Sequence, residues 1–309
     1  MKEMLSTKEV AQFLNVNEKM VYSLIADKGL PASKVTGKWL FPKNLVVQWV
    51  EAATQNYPRL PSLPEYHGLV LIAGSNDLLL DKLMATFNLK HENQVAMFGV
   101  TGSMGGLNAL NKNRCHIAAS HLASDDREYN FPFIGDDAGL MPAVMNLCHR
   151  EQGILLARGN PANITAVSDL AAPGVTVVNR QLGCGTRQLF DQELIKAGIK
   201  GSSLDGYDHC LTRHMAVGLA LLNGKAHAGP GIRAVANVLG LDFLPLCWER
   251  FDLVISKDRF FDQGVQSFLA LLKGKVIRQS AEEYGGYDLS MTGKMIYPEA
   301  REAPEDSDA

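Results

Sequence analysis

Residues 179–194 read NRQLGCGTRQLFDQEL, two glycines, a cysteine and a threonine set between Arg180 and Arg187 around the start of a helical pattern. The run before it, GVTVVN (174–179), has the look of a strand, so the unit is strand–loop–helix. A glycine-flanked turn that opens a helix presents bare backbone N–H groups, and the helix dipole adds partial positive charge. It is not a P-loop, because the G-K-[ST] ending at fixed spacing is missing. The stretch therefore predicts an α/β domain with an anion held at a helix start.

Working outward, the same alternation recurs. GLVLIAG (68–74), QVAMFGV (94–100), HIAAS (116–120), GLMPAVMNL (139–147), GILLARG (153–159), AHAGPG (226–231) and FLPLCWERFDLVIS (243–256) supply apolar strand segments. Helical stretches lie between several of them, at 75–87, around 214–223 and near 262–272. That order predicts an α/β body with a largely parallel sheet. Three prolines within YPRLPSLPEYHG (57–68) predict a semi-rigid linker, and the acidic EAREAPEDSDA (299–309) predicts a disordered tail. The chain divides into a head (1–56), a linker (57–67), a body (68–298) and the tail (299–309).

The 309 residues are 46% hydrophobic and 20% charged, as expected of a soluble globular protein with two sizeable cores. No apolar run approaches the roughly 18 residues of a membrane span. The N-terminus lacks the continuous apolar stretch of a signal peptide, so a cytoplasmic protein is expected, with no membrane partner. Five cysteines without a C-x-x-C pair argue against a disulfide framework or a zinc ribbon. His209 and His214 are poorly spaced for shared ligation, and no metal is expected. Charge is uneven: residues 1–60 carry eight Lys/Arg against five Asp/Glu, and the remainder 22 against 28. A basic head on an acidic body predicts that the head meets a polyanion.

Within the head, Ser6 or Thr7 opens a first helix (7–14) and a second runs from about Asn17 to Lys28, stopping at Gly29. ASKVTGKWLFP (32–42) predicts a hairpin turning at Gly37, followed by a third helix to about Ala53. Two short helices and a basic hairpin make a winged helix-turn-helix, with the second helix in the major groove. Its outward residues are Asn17, Lys19, Tyr22, Ser23 and Lys28, while Lys34, Thr36 and Lys38 on the hairpin reach phosphates. The competing reading is a docking module whose lysines are merely solvated.

In the body, three loops at strand ends share one chemistry: AGSND with Ser75 and Asn76, TGSMGG with Gly102 and Ser103, and GCGTR with Cys184, Gly185, Thr186 and Arg187. Helix N-termini and hydroxyls converging there suit a compact anion, although each serine alone could be an ordinary N-cap. Arg180 and Arg187 have two open readings, ligand contacts or ion pairs with Asp191 or Glu193. Cys184 is either a low-pKa thiol at a helix start or simply small. No convincing nucleophile–base pair stands out, so no catalysis and no required cofactor are expected.

The head sequence LSTKEVAQFLNVNEKMVYSLIADKGLPASKVTGKWLFPKNLVVQWVE resembles the excisionase-type winged-helix DNA-binding domain over nearly all of residues 4–51. The segments IAASHLAS, REQGILLARGNP, NRQLGCGTRQLFDQEL, RHMAVGLALLNGKAHAGPGIRAVA and LDFLPLCWERFDLVI resemble the periplasmic-binding-protein-like domain fused to helix-turn-helix heads in bacterial regulators. That domain also occurs in some molybdopterin-biosynthesis proteins, and molybdate- and tungstate-binding transport proteins are more distant relatives. The resemblance implies a type II, two-lobed body with its ligand in the cleft and lobe crossings near 146–152 and 246–253. It also implies serine where this chain has Cys184. The expectation is a homodimeric transcriptional regulator that binds DNA and senses a small anion, molybdate or tungstate. The alternative is a molybdopterin-biosynthesis enzyme or accessory protein that binds a pterin phosphate.

Overall fold

The computed structural model describes residues 4–35, 37–53, 68–124, 128–134 and 142–298; the expected linker (57–67), the tail (299–309) and Thr36 lie outside them. The chain forms two compact units, residues 1–59 and 60–309.

In the first unit β1 (Met4–Ser6) leads into α1 (Thr7–Phe13). Ser6 and Glu9 close a reciprocal capping box, Ser6 N–H donating to the Glu9 carboxylate at 2.8 Å. Asn17 caps α2 (Glu18–Lys28), which ends at Gly29 in the left-handed region, φ 64°. The hairpin β2 (Ser33–Val35) and β3 (Lys38–Pro42) follows, then α3 (Lys43–Ala53). β1, which the sequence reading missed, pairs antiparallel with β3 and gives a three-stranded wing. Val10, Ala11, Val21, Leu30, Phe41 and Val46 form the core beneath it.

The second unit begins with β4 (Leu69–Gly74), α4 (Leu78–Lys90), β5 (Val95–Val100), α5 (Gly102–Asn111) and β6 (Ile117–Ser120). β4 lies parallel to β5 and β6, with the helices as crossovers. A Cβ on Gly106 would fall 2.7 Å from the Gly74 Cα, so α5 lies directly on the β4 backbone and its N-terminus is held at the strand end.

The long strand β7 (Ala143–Leu156) merges the two strands expected at 139–147 and 153–159. It leads to β8 (Asn179–Arg180), α6 (Gly185–Lys196), β9 (Cys210–Leu211), α7 (His214–Leu222), β10 (Ala228–Ile232) and α8 (Arg233–Leu239). The chain returns along β11 (Asp242–Ile255), then closes with α9 (Gln263–Ala270), α10 (Lys275–Tyr284), β12 (Tyr287–Asp288) and β13 (Met295–Ile296). The main sheet runs β10-β7-β11-β6-β4-β5, with β12 and β13 on β7.

This sheet is mixed rather than largely parallel. Every pairing of β7 and β11 is antiparallel. The physical reason is connectivity: a chain that leaves one lobe along β7 and returns along β11 must traverse in opposite senses. In the first lobe Val70, Ile72, Leu79, Leu83, Phe87 and Phe268 pack around β4. In the second, Val217, Val235 and Leu155 form one cluster, and Phe190, Leu194 and Ile154 another. β7 and β11 belong to both, and their ladder slips between Pro245 and Cys247 and again between Phe251 and Asp252.

Candidate functional site

The register that aligns Arg150 with Glu249 puts a buried charged pair in the middle of two long strands. Arg150 Nε donates to Glu249 Oε1 at 2.7 Å, and its Nη1 donates to Asp77 Oδ2 at 2.8 Å. Arg150 is 0% exposed, and its remaining terminal nitrogen, Nη2, has no partner among the described residues. Gln152 Nε2 donates both to Glu249 Oε1 and to Thr186 Oγ1, leaving the buried Gln152 Oε1 without a partner among the described residues. Thr186 thus accepts from Gln152 and keeps its own hydroxyl hydrogen available.

Arg180, at the end of β8, comes from the second lobe and is 1% exposed. Its Nη2 donates to Asn76 Oδ1 at 3.3 Å and to the Thr212 carbonyl at 3.1 Å, whereas Nε and Nη1 have no partner among the described residues. No carboxylate among the described residues makes an ion pair with it. Burial lowers its pKa and the Arg150 charge adds to that, while Cys184 opposes it. Beside it, at the first position of α7, the buried His214 ring has neither nitrogen partnered among the described residues. Burial first, then the charges of Arg180, Arg150 and His121, hold His214 well below the ordinary histidine pKa, so the ring is neutral.

His121, one residue beyond β6, connects the lobes. Its Nε2 lies 3.0 Å from Ser75 Oγ and its Nδ1 lies 2.9 Å from Glu249 Oε2. Its backbone N–H donates to Ser103 Oγ at 3.3 Å. A Cβ on Gly185 would stand 2.6 Å from the His121 Cε1, so only glycine lets α6 begin this close. Burial opposes the His121 charge most, but the Glu249 carboxylate and the hydrogen bonds with Cys184 and Glu249 together outweigh it and the pKa is raised. Burial likewise works against Glu249, yet His121, Arg150 and the Gln152 hydrogen bond hold the carboxyl at about 2. For Cys184 burial pushes upward, while Arg180 and the His121 ring bring the thiol down to about 6. Serine, histidine and glutamate stand in the order of a nucleophile, base and carboxylate. The Glu249 carboxylate at Nδ1 favours the charged ring, and a charged ring donates from Nε2 to Ser75 where a neutral one can accept.

The expected residues are brought together unequally. Ser75, Asn76, Ser103, Arg180, Cys184, Gly185 and Thr186 all lie in or against this cluster. Gly102, at φ 74°, backs onto the Gly183 carbonyl across the lobes. Ser75 and Asn76 are not the cap of α4: Asp77 is, because its Oδ1 accepts from the N–H groups of Leu79 and Leu80. Arg187 is instead engaged by its own helix and its neighbours. Its Nε donates to both Asp191 oxygens at 2.9 Å, its Nη1 reaches the Arg180 carbonyl, and its guanidinium stacks on Tyr207. The carboxylate four residues along the same helix wins because it is local. Sequence reasoning missed Asp77, His121, Arg150, Gln152, His214 and Glu249. The signal was charge inside apolar strands, HRE in β7 and ER in β11. Among the described residues, no group of His, Cys, Asp and Glu could hold a metal ion, and no helix is long and apolar enough to cross a membrane.

On the head, Lys19, Tyr22, Ser23 and Lys28 are exposed along α2, and Lys34 and Lys38 are exposed on the hairpin. Asn17 is engaged as the α2 cap, its Oδ1 accepting from Met20 N–H at 2.8 Å. That satisfies an otherwise orphaned helix N–H and withdraws the side-chain oxygen from base readout. Ser23 Oγ donates to Asp27 at 2.9 Å, and Lys34 Nζ sits 5.6 Å over the Trp39 ring.

Comparison with known proteins follows the same division. A family model described as a PBP superfamily domain matches residues 84–273, and one described as a helix-turn-helix domain matches residues 4–54. The chain is 28% identical over 303 residues to YvgK of Bacillus subtilis (strain 168), an uncharacterized protein, covering 93% of this chain and 96% of that one. It is 32% identical over 109 residues to an uncharacterized protein in the ferredoxin 2Fe-2S gene 5′ region of Clostridium pasteurianum, 35% of this chain and 96% of that one. A crystal structure of a candidate phosphate ABC transporter substrate-binding protein from Clostridium perfringens, with bound phosphate, covers 70% of this chain and 98% of its own. Its TM-score is 0.52 at 14% identity, a likeness of fold.

Proposed function

Since this chain belongs to the PBP superfamily domain family and carries a helix-turn-helix domain ahead of that body, we propose that it is a DNA-binding transcriptional regulator whose body closes on a small oxyanion. The observation that carries this reading is the pair Arg150 and Arg180: one from a crossing strand, one from the second lobe, both buried, both with unpartnered guanidinium nitrogens. Buried charged donors without partners are costly unless a ligand completes them. Thr186 and Ser75 add hydroxyls, and α6 and α7 add helix N-termini. Molybdate and tungstate, implied by the sequence resemblance, are compact tetrahedral anions of this class. Phosphate, bound by the Clostridium perfringens protein, is another. The site offers no observation in favour of the pterin-phosphate alternative.

In this reading the protein is cytoplasmic, performs no chemistry and needs no cofactor. It acts as a homodimer, because one short recognition helix contacts too few base pairs for a unique site. The ligand favours the closed cleft and shifts the population of states that the paired heads present to DNA. Lys19, Tyr22 and Lys28 face bases and backbone, while Lys34 and Lys38 neutralise phosphates. The test is denaturation of the full chain with phosphate, sulfate, molybdate and tungstate. A ligand at 100 times its Kd adds about 2.7 kcal/mol of stability. No stabilisation by any of them would overturn the oxyanion reading.

A further inference from the structure

The unpartnered atoms around Arg150 and Arg180 include acceptors as well as donors. Gln152 Oε1 is buried without a donor, and its orientation is fixed, because Nε2 on the same amide must face the Glu249 carboxylate at 2.7 Å. The neutral His214 ring, both nitrogens unpartnered, presents one bare nitrogen along with one N–H. Gln152 is tied to Thr186, and His214 follows the Thr212–Arg213 turn whose carbonyl accepts from Arg180, so both belong to the same site. An oxyanion without protons satisfies the guanidinium nitrogens and leaves these two acceptors facing lone pairs.

Charge points the same way. Arg150 and Arg180 are matched in number by Asp77 and Glu249, and the His121 ring and the Cys184 thiol are shifted toward opposite charges that offset one another. What remains is the partial charge of two helix N-termini, α6 and α7, about +0.5 each. That balances about one negative charge. A dianion would bring a second, uncompensated charge into a buried site.

We propose that the ligand is a singly charged tetrahedral oxyanion that keeps a proton, as phosphate does near neutral pH, and that His214 and Gln152 accept from it. This rests on the oxyanion reading and separates proton-bearing anions from sulfate, molybdate and tungstate, which are dianions without protons to donate.

Titration calorimetry on the full chain at pH 7 tests it, with inorganic phosphate, sulfate, molybdate and tungstate as the probes. The expected result is phosphate binding at least roughly tenfold tighter than any of the other three, since each of them leaves a buried acceptor unpaired. His214→Phe should weaken phosphate by roughly tenfold and leave the weaker sulfate binding unchanged. Tighter binding of sulfate, molybdate or tungstate than of phosphate overturns the inference while the oxyanion reading stands. An equal loss for all anions in His214→Phe overturns the acceptor role of that residue, and the wild-type comparison stands independently of how that variant folds. Binding of none of the four defeats both readings together.

Discussion

Arg180→Met separates a binding guanidinium from a structural one. In the protein as it stands, Arg180 gives two hydrogen bonds, to Asn76 and the Thr212 carbonyl, and leaves Nε and Nη1 unpartnered. Losing bonds from a charged donor costs about 1.5–3 kcal/mol each, less for the 3.3 Å contact. Against that, the substitution removes a buried charge that makes no ion pair with a carboxylate among the described residues, a penalty of several kcal/mol. It also removes two orphaned donors worth about 1–3 kcal/mol each. The terms oppose and nearly cancel, so the ligand-free variant should lie within about 2 kcal/mol of the wild type or be more stable. Its ligand affinity should collapse, because two charged donors at about 1.5–3 kcal/mol each amount to roughly a hundred- to ten-thousand-fold. Urea unfolding with and without phosphate at pH 7 reads both quantities in one experiment. A variant destabilised by more than about 3 kcal/mol that still shows a ligand shift would mean that Arg180 holds the fold and the anion lies elsewhere.

Glu249→Gln removes the negative charge and one of the two acceptor oxygens shared by Arg150, Gln152 and His121 and should destabilise by about 3–5 kcal/mol in urea unfolding; a loss below about 1 kcal/mol would show that this buried network contributes little. Because Glu249 titrates at about 2, its stabilisation is present above the ordinary glutamate pKa of about 4.3 and is lost as pH falls toward 2. The variant should therefore have the flatter acid limb. Cys184, drawn down to about 6, contributes stability present above the unfolded thiol pKa of about 8.5 and lost as pH falls through 6. Cys184→Ser should abolish that rise between pH 6 and 9, and an unchanged rise would remove the thiolate from the site. On the head, Lys38→Ala should weaken DNA binding across sequences and reduce the slope against log salt by about 0.9, while Tyr22→Ala should alter preference among sequences. Fluorescence anisotropy over a salt series distinguishes these two effects, and insensitivity to both would argue for a docking head.

What the sequence made legible was what is decided locally. Ser6 with Glu9, Gly29 and the turn at Gly37 mark the head's boundaries within a few residues of chain. In the body the GCGTR turn stood out for the same reason, with Arg180 and Thr186 on either side. The crossing strands were opaque because their meaning lies in register. Nothing local sets Arg150 opposite Glu249 or Gln152 opposite Cys247; these pairings follow from a ladder with a slip after Pro245. The antiparallel run of β7 and β11 is equally non-local. The serines illustrate a subtler limit: Ser75 sits where a cap belongs, but Asp77 two residues on takes that task, and the hydroxyl turns to a histidine 46 positions away.

The close approach of Gly185 to His121 also sets a length scale for the whole body. His121 is gripped on one side by Ser75 and on the other by Glu249, so it cannot step back from an intruding atom. A methyl group at position 185 would stand 2.6 Å from that ring, so one of the two must shift. The spacing between the start of α6 and the His121 ring is thus gauged by a single missing carbon, and Gly185→Ala should force the two apart.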